Sequence, residues 1–208
     1  KRLLQRGHTG RASRKTQSGC LTVAAAPMKI LGLDPSLRCT GYGLIAASGA
    51  VYSAVIYGEI RNPSHLPPSA CLTHIYDVVI GLIREHQPTA LAVEGLVYVQ
   101  NTRIAFTLGE VRGVILLAAA QHHVPAYEYA PRQVKQAVTG RGSAGKQQVA
   151  YMVKAQLGLP ELPGADAADA LALALCHVHR HKTDPPTSRA PHCVAPTEAS
   201  KLGREETR

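Results

Sequence analysis

Four carboxylates stand where the chain has no structural need for charge. Asp34 closes the apolar run Lys29-Ile-Leu-Gly-Leu-Asp34, and Glu94 closes a second apolar run from Thr89 to Val93. Asp166 and Asp169 lie three apart at the start of a helical pattern, so both project from one face with Cβ atoms about 5–6 Å apart. Their neighbours Ala165, Ala167, Ala168 and Ala170 are small enough to let that face pack closely against a sheet. Each acid alone has an ordinary account, as a turn cap, a solvated strand end, or helix N-terminal charge favoured by the macrodipole. Four gathered acids repel one another strongly unless cations hold them. Hard divalent ions such as Mg²⁺ take oxygen ligands, and two of them about 3.5–4 Å apart form a clamp that cuts phosphodiesters. The chemistry expected of this set is metal-assisted phosphoryl hydrolysis.

A cationic stretch follows in sequence. Arg132, Lys135, Arg141, Lys146 and Lys154 fall between residues 132 and 154, a span that contains no acid. It reads as a solvated face or as a phosphate-tracking surface whose binding falls with salt. Within it, Gly140-Arg-Gly-Ser-Ala-Gly145-Lys146 fits the spacing of a nucleotide-binding P-loop, but Gln147 replaces the hydroxyl that would hold magnesium. A helix, not a strand, precedes it. The stretch is expected to be a backbone-exposing loop before a helix, and Lys146 to stabilise charge on a phosphate. Cys176-His177-Val178-His179-Arg180-His181 suggests a metal site, yet alternate residues diverge on a helix and cationic His is favoured at a helix C-terminus. Leu171, Leu173, Leu175 and Val178 are expected in the core.

The elements that must position these groups are legible from periodicity. Residues 29–34, 40–46 and 51–60 read as three sequential strands, with Ser48-Gly49 as the hairpin turn between the second and third. Residues 67–87 carry Leu72, Ile75, Tyr76, Val79, Leu82 and Ile83 on a 3.6-period face, and Pro88 ends that helix. A strand over 89–93 leads to Glu94, a long helix runs from Asn101 as N-cap to His122, and 124–129 is a fifth strand. Helices are expected near 131–138, 143–157 and 165–179. Such an order gives an α/β sheet with an antiparallel half.

Several of these segments carry a resemblance. Ile30-Leu-Gly-Leu-Asp34-Pro-Ser-Leu-Arg-Cys-Thr-Gly41-Tyr-Gly43, Ala92-Val-Glu94, Tyr129-Ala-Pro-Arg-Gln-Val-Lys135-Gln and Ala165-Asp-Ala-Ala-Asp-Ala-Leu-Ala172 resemble, in that order, the RuvC family of Holliday-junction resolvases. The likeness runs from about Met28 to His179. It implies a ribonuclease-H-like fold, a mixed five-stranded sheet flanked by helices, and a homodimer making paired magnesium-dependent cuts across a four-way DNA junction. Two Mg²⁺ ions per site, with Mn²⁺ as a substitute, and 5′-phosphate and 3′-hydroxyl products follow from the same resemblance. Asp34, Glu94, Asp166 and Asp169 match the family's four catalytic acids, while Lys135 and Lys146 match basic residues near its active site. A branch-migration motor complex is a further partner class that the resemblance allows. The chain departs from the family at one place. The aromatic three residues after the catalytic Glu, which wedges into the junction centre, is replaced by Val97, and the nearest aromatic is Tyr98. Tyr98 is expected on an exposed loop, one of only nine aromatics (eight Tyr and one Phe), where it either stacks on bases or packs on the protein.

Composition bounds the rest. The 208 residues carry a formal charge of +9, but residues 28–180 hold 12 basic and 10 acidic groups, so overall charge argues poorly for a nucleic-acid partner. Residues 1–27 hold six basic residues and no acid, and are expected to be a disordered leader outside the domain. Residues 28–180 form the nuclease domain, and 181–208, with Pro185, Pro186, Pro191 and Pro196, a disordered tail. Five cysteines without a C-x-x-C pair argue against a disulfide scaffold and for a reducing, cytoplasmic setting. No apolar run approaches the roughly 18 residues of a membrane span. Actin-like ATPases and sugar kinases share the Asp34-to-Gly41 opening but need two such domains. A metal-free junction-binding protein would not be expected to keep four mutually repulsive acids. A third option is a related ribonuclease-H-like nuclease acting on RNA or another branched substrate.

Overall fold

The computed structural model describes residues 27–95 and 102–183. Within them, β1 (Met28–Asp34), β2 (Cys39–Ser48) and β3 (Val51–Arg61) form an antiparallel meander. They are followed by α1 (Pro68–His86), β4 (Ala90–Glu94), α2 (Thr102–Gln121), β5 (Ala126–Tyr129), α3 (Pro131–Thr139), α4 (Lys146–Leu157) and α5 (Ala165–Thr183). The sheet order is β3-β2-β1-β4-β5. β1 pairs antiparallel with β2 and parallel with β4, and β4 pairs parallel with β5. The expected mixed five-stranded sheet is the one observed.

Central strands buried on both faces read as apolar runs rather than alternating ones, and β1 and β4 have that pattern. One face packs on α1 and α2 through Leu31, Leu33, Ile75, Val79, Leu91, Val111 and Ile115. The other packs on α3, α4 and α5 through Ile30, Ile45, Val134, Val149, Val153, Leu171 and Leu175. Glycines bring α5 unusually close. A Cβ on Gly32 would fall 2.0 Å from the Ala170 carbonyl oxygen, and one on Gly41 would fall 2.0 Å from that of Asp166. Both clash partners are backbone, so the N-terminal half of α5 rests directly on β1 and β2.

Several boundaries differ from expectation for local reasons. α4 begins at Lys146 rather than 143, because Gly145 takes the extended N-cap conformation. β5 begins at Ala126 because His123 adopts a left-handed turn. α5 continues to Thr183, so a domain limit at 180 cuts its last turn. Asn101 as N-cap, Tyr98, the leader to Ala26 and the tail from Asp184 lie outside the described residues.

Candidate active site

Strand pairing places the first two acids. Leu33 is in register with Val93 across β1 and β4, so Asp34 and Glu94 leave adjacent parallel strands at the same end of the sheet. Asp169 descends on them from α5, and Lys146 reaches in from the first residue of α4. These groups, with Lys135, Pro131, Val134, Val149 and Leu173, line one cavity of about 200 Å³. Three acids and two lysines expected from sequence are therefore brought together.

The fourth acid stands at its flank. Asp166 is one turn before Asp169 on α5 and close enough to raise the Asp34 pKa, but its side chain turns toward Cys39 and Glu59. Donor atoms of Cys39, Glu59 and Asp166 lie within 4.8 Å of one another. The Cys39 thiol also donates to Glu59 Oε2 at 3.7 Å, and Glu59 pairs with Arg61. The four acids divide into three partnerships. Asp34 hydrogen-bonds Glu94, Asp169 pairs with Lys146 Nζ at 3.3 Å, and Asp166 meets the Cys39 thiol.

The electrostatics follow from that crowding. Burial pushes the Asp34 carboxyl up to about 8, assisted by the charges of Glu94 and Asp169. Burial also raises Glu94, although the hydrogen bond with Asp34 and the charges of Lys146 and Lys135 pull the other way. Asp169 raises the Lys146 ammonium. Burial, with Asp166 and Glu59, pushes the Cys39 thiol up to about 12. Asp34 and Glu94, both partly buried, are linked by a hydrogen bond and Asp169 is paired with lysine, a crowding of carboxylates that a bound cation would relieve. The all-oxygen donors Asp34, Glu94, Asp166 and Asp169 fit hard divalent ions.

The loop after Asp34 is fixed by buried polar groups that sequence reading did not single out. Thr40 Oγ1 donates to the Ser36 carbonyl at 2.5 Å, and Asn62 Nδ2 donates to the Leu37 carbonyl at 2.8 Å. Asn62 Oδ1 meets His74 Nδ1 at 2.7 Å. A polar side chain closing a strand just before a proline was the available signal, and it is too common to notice.

Elsewhere the outcomes vary. The Gly140–Lys146 stretch follows α3 directly, with Gly140 as its left-handed cap, as expected of a loop rather than a P-loop. Arg141 is exposed in that loop, and Arg132 packs along Gly142 on the far side of α3 from the acids, so neither enters the cavity. The expectation of cationic histidines at the end of α5 fails for His177. That ring is buried, shares a 2.8 Å hydrogen bond with the Tyr129 hydroxyl and stacks 4.2 Å from His181. Burial holds it down to about 3, so it is neutral.

A strand order of β3-β2-β1-β4-β5 with acids at the ends of β1 and β4 and on the last helix defines a ribonuclease-H-like nuclease domain. A family model described as crossover junction endodeoxyribonuclease RuvC matches residues 30–177. The chain is 48% identical over 155 residues to the crossover junction endodeoxyribonuclease RuvC of Pelotomaculum thermopropionicum, covering 74% of this chain and 94% of that protein. It is 50% identical over 153 residues to the protein of the same name from Desulfitobacterium hafniense, covering 73% and 93%. Among solved structures, T. thermophilus RuvC in complex with a Holliday junction substrate matches with a TM-score of 0.72 at 33% identity, covering 75% and 96%. The chain belongs to the RuvC family of crossover junction endodeoxyribonucleases.

Proposed function

We propose that this protein resolves four-way DNA junctions by paired phosphodiester hydrolysis, leaving 5′-phosphate and 3′-hydroxyl ends. The observation that carries this reading is the convergence of Asp34, Glu94 and Asp169 with Lys135 and Lys146 in one cavity. Asp34, Glu94, Asp166 and Asp169 would hold two magnesium ions, for which manganese could substitute. Bound there, the ions would supply Lewis acidity, lowering the pKa of an attacking water and neutralising charge on the leaving 3′ oxygen. Asp34, whose carboxyl is raised to about 8 beside Glu94, would release its proton to solvent as the ions bind. Asp166 would turn from Cys39 toward the cavity to join the other three acids. Lys146, released from Asp169, meets a non-bridging oxygen of the scissile phosphate, and Lys135 holds the adjacent backbone. Arg132 and Arg141 extend the cationic path outside the cavity. Tyr98 is assigned to base stacking at the junction centre.

Paired cuts need two sites, and α2 offers a surface for a second copy. Phe106 and Leu117 are 75% and 52% exposed. With Gly113, over which no other atom lies within 4 Å of a Cβ position, they form one helical stripe that suits close helix packing. By length and composition α2 would also cross a bilayer. Its other face, however, is committed to the core through Val111, Ile115, Ala118 and Ala119. A homodimer accounts for both faces. The cytoplasm, where DNA and reduced thiols coexist, is the compartment assigned.

The reading is tested by incubating the protein and Mg²⁺ with synthetic four-way junctions, replication forks and plain duplex, then mapping the cuts. Symmetric nicks in two opposed strands of the junction, resealed by ligase, are expected. Equal cutting of plain duplex would contradict it.

A further inference from the structure

The face of α3 turned away from the acids borders a second, larger cavity of about 690 Å³, lined by Arg132, Gln133, Gln136, His179 and Arg180. α3 is thus a shared wall. Pro131, Val134 and Lys135 face the acidic site, and Arg132, Gln133 and Gln136 face this groove. Among the described residues the lining contains two guanidinium groups, two amides and an imidazole, and no carboxylate. Its far wall comes from α5. Asp169, Leu173, Cys176 and Arg180 follow one another at intervals of four, three and four residues, which is one stripe of a helix. Contacts bear this out, since the Cys176 thiol reaches the Gln133 carbonyl of α3 at 3.9 Å and His179 Nδ1 lies 3.0 Å from that of Ala137. Arg180 therefore stands on the same face as Asp169, about 16 Å along the helix axis at 1.5 Å per residue. That distance matches the axial rise of roughly five nucleotides of one DNA strand at 3.4 Å each.

We infer that this groove is a second phosphate-binding site, in which Arg180 and Arg132 hold the sugar-phosphate backbone of a junction arm about five nucleotides from the scissile phosphate. Charge complementarity selects the occupant, because cationic forks with flanking amides suit phosphodiester oxygens. The inference rests on the junction reading above and extends its substrate contacts. It makes Arg180 a binding residue that touches neither the acids nor the reacting phosphate.

The experiment measures junction affinity of the full chain without divalent metal, across a range of salt, with arms long enough to cover the groove and with arms cut to three base pairs. On long arms Arg180→Ala should weaken binding roughly tenfold and make the log–log salt dependence shallower by about one, while Arg180→Lys restores most of both. Gln136→Glu, which removes no cation but adds an anion to the lining, should weaken long-arm binding likewise. On short arms Arg180→Ala should bind as the wild type does. Wild-type failure to bind junctions would overturn the junction reading itself. Normal wild-type binding with an unchanged salt slope in Arg180→Ala, or the same loss on both arm lengths, would overturn the groove assignment alone. Melting curves of each variant, recorded beside the binding data, separate a loss of phosphate contact from a loss of stability, and Gln136→Glu also removes the Gln136 Nε2 hydrogen bond to the Gly140 carbonyl.

Discussion

Asp34 and Glu94 share a proton because adjacent parallel strands end side by side in a partly buried pocket. The pairing has a consequence for pH. Asp34 ordinarily titrates near 3.8 and is raised to about 8, so the fold favours its protonated form. The associated stability is present below about pH 4 and lost as pH rises toward 8. Metal-free protein should therefore melt progressively lower across that window, and Asp34→Asn should flatten the trend, with a Tm several degrees above wild type at pH 8. Scanning calorimetry of both proteins in chelator checks this, and a parallel decline in the two would refute it. Bound metal needs the ionised form, so magnesium affinity should climb through the same interval and its binding should release protons. Calorimetry in buffers of different ionisation heat would detect them. At this scale the sequence was most informative. A carboxylate ending an apolar strand is anomalous wherever it occurs, so Asp34 and Glu94 were visible without coordinates. The neutrality of His177 was not, because it depends on burial under Tyr127 and Tyr129, which arrive from a strand some fifty residues earlier.

Elements explain how α5 delivers its two acids. The helix can approach the sheet only because Gly32 and Gly41 have no side chain beneath Ala170 and Asp166. Gly41→Ala should push the start of α5 away, destabilising the protein by about 1–3 kcal/mol and reducing cleavage more than binding. Chemical denaturation and junction binding read the two effects, and a variant with unaltered activity would show that the close contact does not position Asp166. Asn62 acts on the loop beyond Asp34. Asn62→Ala removes the donor to the part-buried Leu37 carbonyl, and should cost about 1–3 kcal/mol. Periodicity revealed the strands and helices well, since two-residue and 3.6-residue repeats are local properties. The Cys39–Glu59–Asp166 grouping was hidden because it depends on tertiary register. Gly41 pairs with Glu59 and Cys39 with Arg61, in a ladder that shifts between Leu44 and Ile45 where a bulge intervenes.

At the scale of the whole molecule, α3 divides the acids, with Lys135 and Lys146 beside them, from the Arg132–Arg180 groove. Binding should therefore survive loss of the acids and weaken steeply with salt. The apolar stripe on α2 makes a separate prediction. Phe106→Glu, at an exposed position, should shift sedimentation of the proposed homodimer to monomer while leaving the melting of the protomer little changed, and it should uncouple the proposed paired cuts. Persistence of the dimer would move the interface elsewhere. The exposed stripe itself was not legible beforehand, because apolar residues on a long helix read equally as core until the sheet claims one face and leaves the other.

The central claim is that four carboxylates act as one metal-holding unit, although the Asp166 side chain turns toward Cys39. It is tested most directly by junction cleavage and junction binding of Asp166→Asn. The account predicts cleavage below a few per cent of wild type with affinity retained, since the acids serve the metals and the cationic surfaces serve the DNA. Substantial cleavage by Asp166→Asn would contradict it.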